Sequence, residues 1–323
     1  MFHRVDMHAM LMETAVGESG EGIPAVLKVN HKALEINPEA GIISFENGMQ
    51  AKHDLIVGAD GIGSLVRQTL GIIPDRKQST SHCLHCIIAT EDIHKLGLHD
   101  YSPNESIEYW GGQGIDKIVF SPCREGQLHS FYCFFPIEKA KNPGEGWSHQ
   151  VGVDELLEPF GTLDPDLLAL FKNSTDIKPW RLFVHQPYPH WQSGVTCIMG
   201  DAAHPMMPDQ SQGACQAIED GAALGLVFSK DYSFANTAED ISKGLQVYEQ
   251  VRKPRATRVQ EASARARVNI TERIGFSSNT SNPLYKVVDE NKKLTIEEMN
   301  EYDMPADVKK KAAVAGVESR VGL

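Results

Sequence analysis

The stretch that most constrains the fold of this 323-residue chain runs from Gly194 to Phe228. Residues 194–199 are mostly apolar and short, which predicts a strand. Gly200-Asp201 follows directly, and an Ala- and Leu-rich helix begins near Gly213. Strand, turn and helix in this order predict an α/β fold with a ligand-binding turn, although an ordinary strand-to-helix connection would show the same order.

Each part of the turn has its own physical role. Gly200 allows a sharp bend where a side chain would block a ligand. Asp201 offers two acceptors suited to sugar or ribitol hydroxyls, and Pro205 stiffens the loop that follows. The residues Gln212-Gly213 bring unpaired N–H groups to the start of a helix, where they favour anionic or electron-rich ligand atoms.

A second turn of similar design comes about 140 residues earlier. Residues 53–58 predict an apolar strand, and a Gly-rich exit, Gly58-Ala-Asp60-Gly61, leads into a short helix from Ser64 to Leu70. Ser64 stands where an N-cap belongs. Alone this turn is weak evidence for a binding site, but paired with the Gly-Asp turn it becomes specific.

The two turns together resemble those of the FAD-dependent aromatic monooxygenases of the salicylate hydroxylase type, the group A flavoprotein hydroxylases. The resemblance implies that Asp201 binds the ribitol of FAD, that the His-Pro loop lies beside the reactive face of the flavin, and that the following helix points at its pyrimidine ring. The segment HRVDMHAML resembles the family helix whose arginine, here Arg4, reaches the pyrophosphate; a solvated surface arginine is the alternative. The cofactor residues that the resemblance implies are Arg4, Asp60, Gly61, Asp201, Pro205, Gln212, Gly213 and Ala214.

Residues 76–185 have a different pattern, with alternating strands that are rich in aromatic side chains. They predict an antiparallel sheet able to form the wall of an apolar pocket. His85, which aligns near an active-site arginine of many relatives, is a candidate substrate-pocket residue together with Tyr109 and Trp110. Aromatic residues at strand spacing are more often core residues. The segment His82-Cys-Leu-His-Cys86 has C-x-x-C spacing, but no second ligand pair follows it, so no metal is expected.

Composition excludes several classes of partner. The chain has 43 acidic and 31 basic residues and a formal net charge of −12, which disfavours nucleic acid and anionic membranes. It has no run of about 18 apolar residues, so a cytoplasmic location is expected. The six cysteines are scattered and mostly apolar in context, which favours reduced thiols. Whether the chain forms a homodimer stays open.

The predicted fold is mixed α/β (α+β): a truncated Rossmann-like FAD-binding domain interleaved with an antiparallel substrate domain, plus C-terminal helices. The segments are 1–75 (partial FAD-binding domain), 76–185 (substrate domain), 186–275 (return to the FAD-binding domain) and 276–323 (peripheral tail). Pro254 should kink the long helix at about 237–273.

Relatives begin about 100 residues earlier, with a G-x-G-x-x-G turn that this chain lacks. We expect the absent segment to supply the central strand with which strands 55–58 and 195–199 pair. Without it, Ile56, Val57 and Ile198 should be partly exposed, and FAD should bind more weakly than in a full-length relative.

The predicted function is FAD-dependent hydroxylation of a phenolic or similar electron-rich small molecule with NAD(P)H and O2, in secondary metabolism or aromatic degradation. The choice between NADH and NADPH and the residue that deprotonates the substrate stay open. Two alternatives also stay open: a degenerate member that serves as an accessory or binding subunit, and a non-redox isomerase or cyclase without tightly bound FAD.

Overall fold

The computed structural model describes residues 3–20, 22–111, 117–141, 148–161, 163–274 and 292–320. The α-helices of this part of the chain are α1 (Arg4–Val16), α2 (Leu65–Thr69), α3 (Thr90–Lys95), α4 (Val153–Leu157), α5 (Pro165–Lys172), α6 (Gly213–Val227), α7 (Ala238–Val268), α8 (Ile296–Asn300) and α9 (Met304–Val314). The strands are β1 (Ala33–Asn37), β2 (Ile42–Phe45), β3 (Gln50–Lys52), β4 (Ile56–Gly58), β5 (Arg76–Gln78), β6 (Ser81–Ala89), β7 (Glu108–Gly111), β8 (Lys117–Cys123), β9 (Leu128–Pro136), β10 (Thr175–Trp180), β11 (Phe183–His185), β12 (Gln192–Ser193) and β13 (Thr196–Ile198). None of the helices described combines the length and apolar character that crossing a bilayer requires.

The chain divides into two compact units, each made of two segments. The first unit comprises Met1–Val29 and Gln78–Leu182, and the second comprises Asn30–Lys77 and Phe183–Leu323. Residues 1–75 were predicted to form one segment of the FAD-binding domain. In the structure the first 29 residues instead group with the antiparallel sheet. One contact of α1 within this unit is the ion pair between Asp6 and Arg124, with N···O distances of 2.6 and 2.7 Å.

The first unit is built on an antiparallel sheet of strand order β10-β6-β9-β8-β7. One face of the sheet carries the hydrophobic core of this unit, which α4 and α5 cover with Leu156, Leu170 and Phe171. Burial of such large apolar side chains is the main stabilising term of a unit of this kind. The predicted antiparallel sheet is therefore present, and its central strands β6, β8 and β9 are almost fully buried.

The second unit contains a small sheet of order β12-β13-β4, in which β4 and β13 are parallel. Their register pairs Ile56 with Thr196 and Gly58 with Ile198. Strand β13 has partners on both sides, which corrects the expectation that it pairs with a strand of the absent segment. Ile56 and Ile198 are 5% and 0% exposed, so of the three residues expected to be partly exposed only Val57, at 37%, is exposed.

Helices α6, α7 and α9 form the core of the second unit with β13. Helix α7 continues through Pro254, whose ring is exposed, and ends at Val268, near the predicted end. The C-terminal tail was expected to be peripheral, but α9 buries Met304, Val308 and Ala312 in this core. Residues 275–291 of that tail lie outside the described residues.

Candidate cofactor and substrate sites

The turn at Asp60-Gly61 (the Asp-Gly turn) and the turn at Gly200-Asp201 (the Gly-Asp turn) lie side by side at one edge of the sheet β12-β13-β4. Because β4 and β13 are parallel and adjacent, their carboxyl ends meet, as ligand-binding turns do in open α/β sheets. The N–H of Met199 donates to the carbonyl of Gly58 over 3.0 Å, directly before both turns begin. Both turns use left-handed backbone, with φ of +75° at Gly61 and +57° at Gly200. Two motifs that are about 140 residues apart in sequence therefore form one surface.

Arg67 clamps the two turns together. Its side chain is 2% exposed and donates to the carbonyl of Ile62 over 2.6 Å and to the carbonyl of Ala202 over 3.2 Å. The guanidinium also lies 5.2 Å from the ring centroid of Tyr188. A buried cation needs such partners, because an unpaired one is costly. Arg67 therefore fixes the two turns relative to each other.

Asp60 has a structural function that the sequence analysis missed. Its Oδ2 accepts from the N–H groups of Leu65 and Val66, at 2.8 and 3.1 Å, which are unpaired donors in the first turn of α2. Ser64 accepts from the N–H of Arg67 over 2.9 Å, which confirms the predicted N-cap. One Asp60 oxygen therefore anchors the helix, and its role toward a cofactor stays a prediction.

Asp201 is exposed, and no described residue donates a hydrogen bond to it. Desolvation by the surrounding protein raises the pKa of its carboxyl, and the nearby His204 opposes that rise. Water reaches the carboxylate of Asp201, although many protein atoms lie close to it. Its oxygens are therefore available to hydroxyl groups of a ligand.

The start of α6 and the His-Pro loop complete this surface. Gly213, the first residue of the helix, lies against the loop, since a Cβ at this position would be 3.8 Å from Met206 Cγ. Gln212 precedes the helix and makes no side-chain cap, so the N–H groups of Gly213 and Ala214 point outward as donors. The carbonyl of Pro205 accepts from Gln260 of α7 over 2.8 Å. Packing thus fixes the loop at the helix start.

A buried charge network, which the sequence analysis also missed, lies behind the Gly-Asp turn. Asp220 of α6 and Arg252 of α7 are fully buried and paired, with Arg252 Nε 2.8 Å from Asp220 Oδ1. His204 donates to Asp220 Oδ2 over 2.6 Å. The sequence signal for this network is the acidic pair Glu219-Asp220, which lies inside an Ala- and Leu-rich helix.

In the first unit, His85 and Tyr109 belong to one row of paired residues that runs across the strands of the sheet. Lys178, His85, Tyr132, Val119 and Tyr109 are successive partners across β10, β6, β9, β8 and β7. They share the face opposite the hydrophobic core of this unit. Side chains paired in this way are neighbours on one surface. Two of the three predicted pocket residues thus lie on a common face.

Trp110, the third predicted pocket residue, points the other way because side chains alternate along a strand. Its ring stacks on Phe120, with centroids 5.7 Å apart and planes at 6°, and its Nε1 donates to Glu108 over 2.9 Å. The structure therefore places it against the core and does not bring it together with His85.

His85 is a neutral histidine. It is 7% exposed, its Nε2 lies 2.9 Å from Ser130 Oγ, and its ring is 4.6 Å from that of Tyr132. Burial lowers the pKa of His85 to about 4, with Asp176 opposing the shift and His3 adding to it. Arg4 acts electrostatically on both His85 and Tyr132. The predicted phosphate ligand Arg4 thus belongs to the first unit and lies near this row.

The chain is similar to known proteins in family, sequence and fold. Residues 25–263 match the family described as FAD binding domain. The chain is 30% identical over 269 residues to FAD-dependent monooxygenase cfoG of Aspergillus candidus, covering 80% of this chain and 60% of that protein. It is 32% identical over 270 residues to hispidin-3-hydroxylase of Neonothopanus nambi, covering 79% of this chain and 63% of that protein. It thus spans less than two thirds of either relative.

Among solved structures, a salicylate hydroxylase substrate complex is similar to this chain in fold. The TM-score is 0.68 at 24% sequence identity, and the alignment covers 96% of this chain and 75% of that one. At this level of identity the likeness concerns the fold, and it confirms the predicted mixed α/β architecture.

Proposed function

Because the chain belongs to the FAD-binding-domain family, we propose that it is an FAD-dependent monooxygenase that hydroxylates a phenolic or similar electron-rich aromatic molecule with NAD(P)H and O2. The observation that carries the proposal is the single surface formed by the Asp-Gly and Gly-Asp turns, clamped by Arg67. A relative named hispidin-3-hydroxylase supports the class of reaction.

The groups on this surface have the donor and acceptor chemistry that FAD requires. Asp201 presents free acceptor oxygens for the ribitol hydroxyls, and the start of α6 presents N–H donors for an electron-rich ring edge. Around Gly61 a Cβ atom would meet nothing within 4 Å, so the backbone there is open to a ligand. Pro205, Gln212, Gly213 and Ala214 are the proposed flavin neighbours, and Asp60 and Gly61 are the proposed pyrophosphate neighbours.

The chemistry at the aromatic carbon belongs to the cofactor, which when bound supplies reduction of O2 and delivery of one oxygen atom. The residues of the chain bind, orient and exclude water. We place the substrate on the face with His85, Tyr132 and Tyr109, where two aromatic rings can contact an aromatic ring. His85 adds no charge to this face near neutral pH, because burial lowers its pKa to about 4.

Oxygen insertion under 18O2 tests the proposed reaction. The chain is incubated with FAD, NADH or NADPH, and a panel of hydroxylated aromatic acids and phenols, and products are analysed by mass spectrometry. We expect consumption of reduced nicotinamide to rise with a substrate, and one 18O atom to appear in the product. Bound FAD with no oxygen insertion into any phenol would instead favour an accessory subunit or a non-redox enzyme.

A further inference from the structure

We propose that Asp220 is a positioning residue that sets the geometry of the Gly-Asp turn. It is fully buried within α6 and reaches three groups. Its Oδ2 accepts from the N–H of Gly200 over 2.9 Å and from His204 Nε2 over 2.6 Å, and its Oδ1 accepts from Arg252 Nε over 2.8 Å. One carboxylate therefore holds both ends of the segment 200–204, from which Asp201 projects. The inference rests on the proposed function, since it concerns how Asp201 is aimed at FAD.

The contact with Gly200 matters because of the conformation of that residue. Gly200 has a φ of +57°, a region that is open to glycine and strained for most other residues. A glycine is also the residue with most backbone freedom, so it needs an external partner to stay in one conformation. Asp220 is that partner, and Asp201 follows Gly200 directly. Any drift of the Gly200 peptide would move the Asp201 carboxylate.

The contact with His204 fixes the other end of the segment. The His204 ring is 1% exposed, and its centroid lies 5.3 Å from that of Trp191, so packing and the hydrogen bond together hold it in one orientation. Pro205 comes next and limits the backbone of the loop. His204 therefore transmits the position of Asp220 to the loop that lies at the start of α6.

Asp220 can accept these hydrogen bonds as a buried carboxylate because neighbouring charges compensate its own charge. Burial by itself would raise the pKa of Asp220, but the His204 hydrogen bond and the charge of Arg252 lower it overall, so the carboxylate stays ionised. Arg252 is 0% exposed and is held in turn by Glu219, at 2.5 Å, and by Gln216, at 2.8 Å. A buried ion is a strong hydrogen-bond acceptor when it is compensated.

Glu219 provides a matched comparison. Like Asp220 it is an acidic residue of α6 that pairs with Arg252, and it also pairs with Arg255, at 2.8 Å. It makes no hydrogen bond to the segment 200–204 among the contacts of the described residues. A purely structural ion-pair network predicts similar effects for loss of either charge. A positioning role predicts that only loss of the Asp220 charge disturbs the turn.

The test compares D220N with E219Q in the whole chain. The first measurement is amide hydrogen exchange of Gly200 without FAD, which we expect to speed up at least about tenfold in D220N, as its charged acceptor is lost. The second is the FAD dissociation constant from fluorescence titration well below the melting temperature of each variant. We expect it to rise about tenfold or more in D220N and less than about twofold in E219Q.

Each outcome supports or overturns the positioning role of Asp220. Equal changes in the two variants, or wild-type Gly200 exchange in D220N, would overturn the positioning role. If D220N does not fold, H204F takes its place, because phenylalanine keeps a ring beside Trp191 but cannot donate to Asp220, and the pair of Asp220 with Arg252 is left intact; wild-type FAD affinity in H204F would then overturn the proposal. If the wild-type chain binds no FAD, the proposed function fails, while the Gly200 exchange rates still test the role of Asp220.

Discussion

His85 shows how burial can tune a single side chain. Its ring contacts Tyr132 and Ser130, and the charges that act on it come from Asp176, Lys178, His3 and Arg4. Burial dominates these and lowers the pKa of the imidazole to about 4. In the unfolded chain a histidine titrates near 6.5. Between these two values the unfolded state therefore binds a proton that the folded state does not.

The sign of the resulting pH dependence follows directly. Stability rises with pH wherever the unfolded state binds more protons, so the contribution of His85 is complete above about pH 6.5 and is lost progressively as pH falls toward about 4. We predict that His85→Gln reduces the loss of unfolding free energy between pH 7 and pH 5 by about 2 kcal/mol. Urea unfolding at both pH values measures this.

His53→Gln is the control for this measurement, since His53 is an exposed histidine of the other unit. It should leave the difference between the two pH values as in the wild type. A His85→Gln variant that loses as much stability as the wild type would show that His85 is not kept neutral by burial.

Site residues could be predicted from sequence where the signal is local. Gly200 and Asp201 stand directly after a strand, and Ser64 directly before a helix, so their neighbours in sequence already indicate a turn and a cap. Asp220 could not be found in this way. Its partners Gly200, His204 and Arg252 are 20, 16 and 32 residues distant, and only the fold brings them together.

At the scale of elements, the packing of β4 on α2 depends on Gly58. A Cβ at Gly58 would lie 2.5 Å from Val66 Cβ and 2.7 Å from both of its methyl carbons. No rotamer of Val66 moves its own Cβ, so α2 itself would have to shift. Because α2 carries Arg67, such a shift would also disturb the clamp on the two turns.

We predict that Gly58→Ala lowers the free energy of unfolding by about 1–3 kcal/mol through overpacking. Gly225→Ala is the matched control. Gly225 lies on the exposed side of α6 with nothing within 4 Å of its would-be Cβ, so alanine should raise stability by up to about 1 kcal/mol. Urea unfolding of both variants measures the two effects. Equal stability changes of one sign would contradict this account of the β4–α2 contact.

The presence of a helix or strand could be predicted from sequence better than its packing partners. The apolar runs at 55–58 and 195–199 predict strands, and both strands are present. The partner of the second run was predicted wrongly, because β13 lies between β12 and β4 and a local pattern does not encode such long-range pairing. Pro254 does not end α7, which continues through it to Val268, and the kink at this residue stays a prediction.

At the scale of the whole molecule, the chain is two discontinuous units. The unit that contains both Gly-containing turns supplies the proposed cofactor residues, and the unit with the antiparallel sheet supplies the proposed substrate face. The predicted substrate domain, 76–185, overlaps the segment 78–182 of the sheet unit. Residues 1–29 also belong to this unit, and sequence pattern alone does not reveal it, since long-range contacts such as the Asp6–Arg124 ion pair form only in the fold.

The central claim is that the surface of the two turns binds FAD through Asp201, and a fluorescence titration of FAD into the chain tests it most directly. We predict saturable binding at one site, with a dissociation constant that rises about 10- to 100-fold in Asp201→Ala, as expected for loss of a charge-assisted hydrogen bond of about 1.5–3 kcal/mol. Asp54→Ala, which removes an exposed carboxylate of the same unit, should leave the constant unchanged. The absence of saturable binding in the wild type, or equal dissociation constants for all three proteins, would contradict the claim.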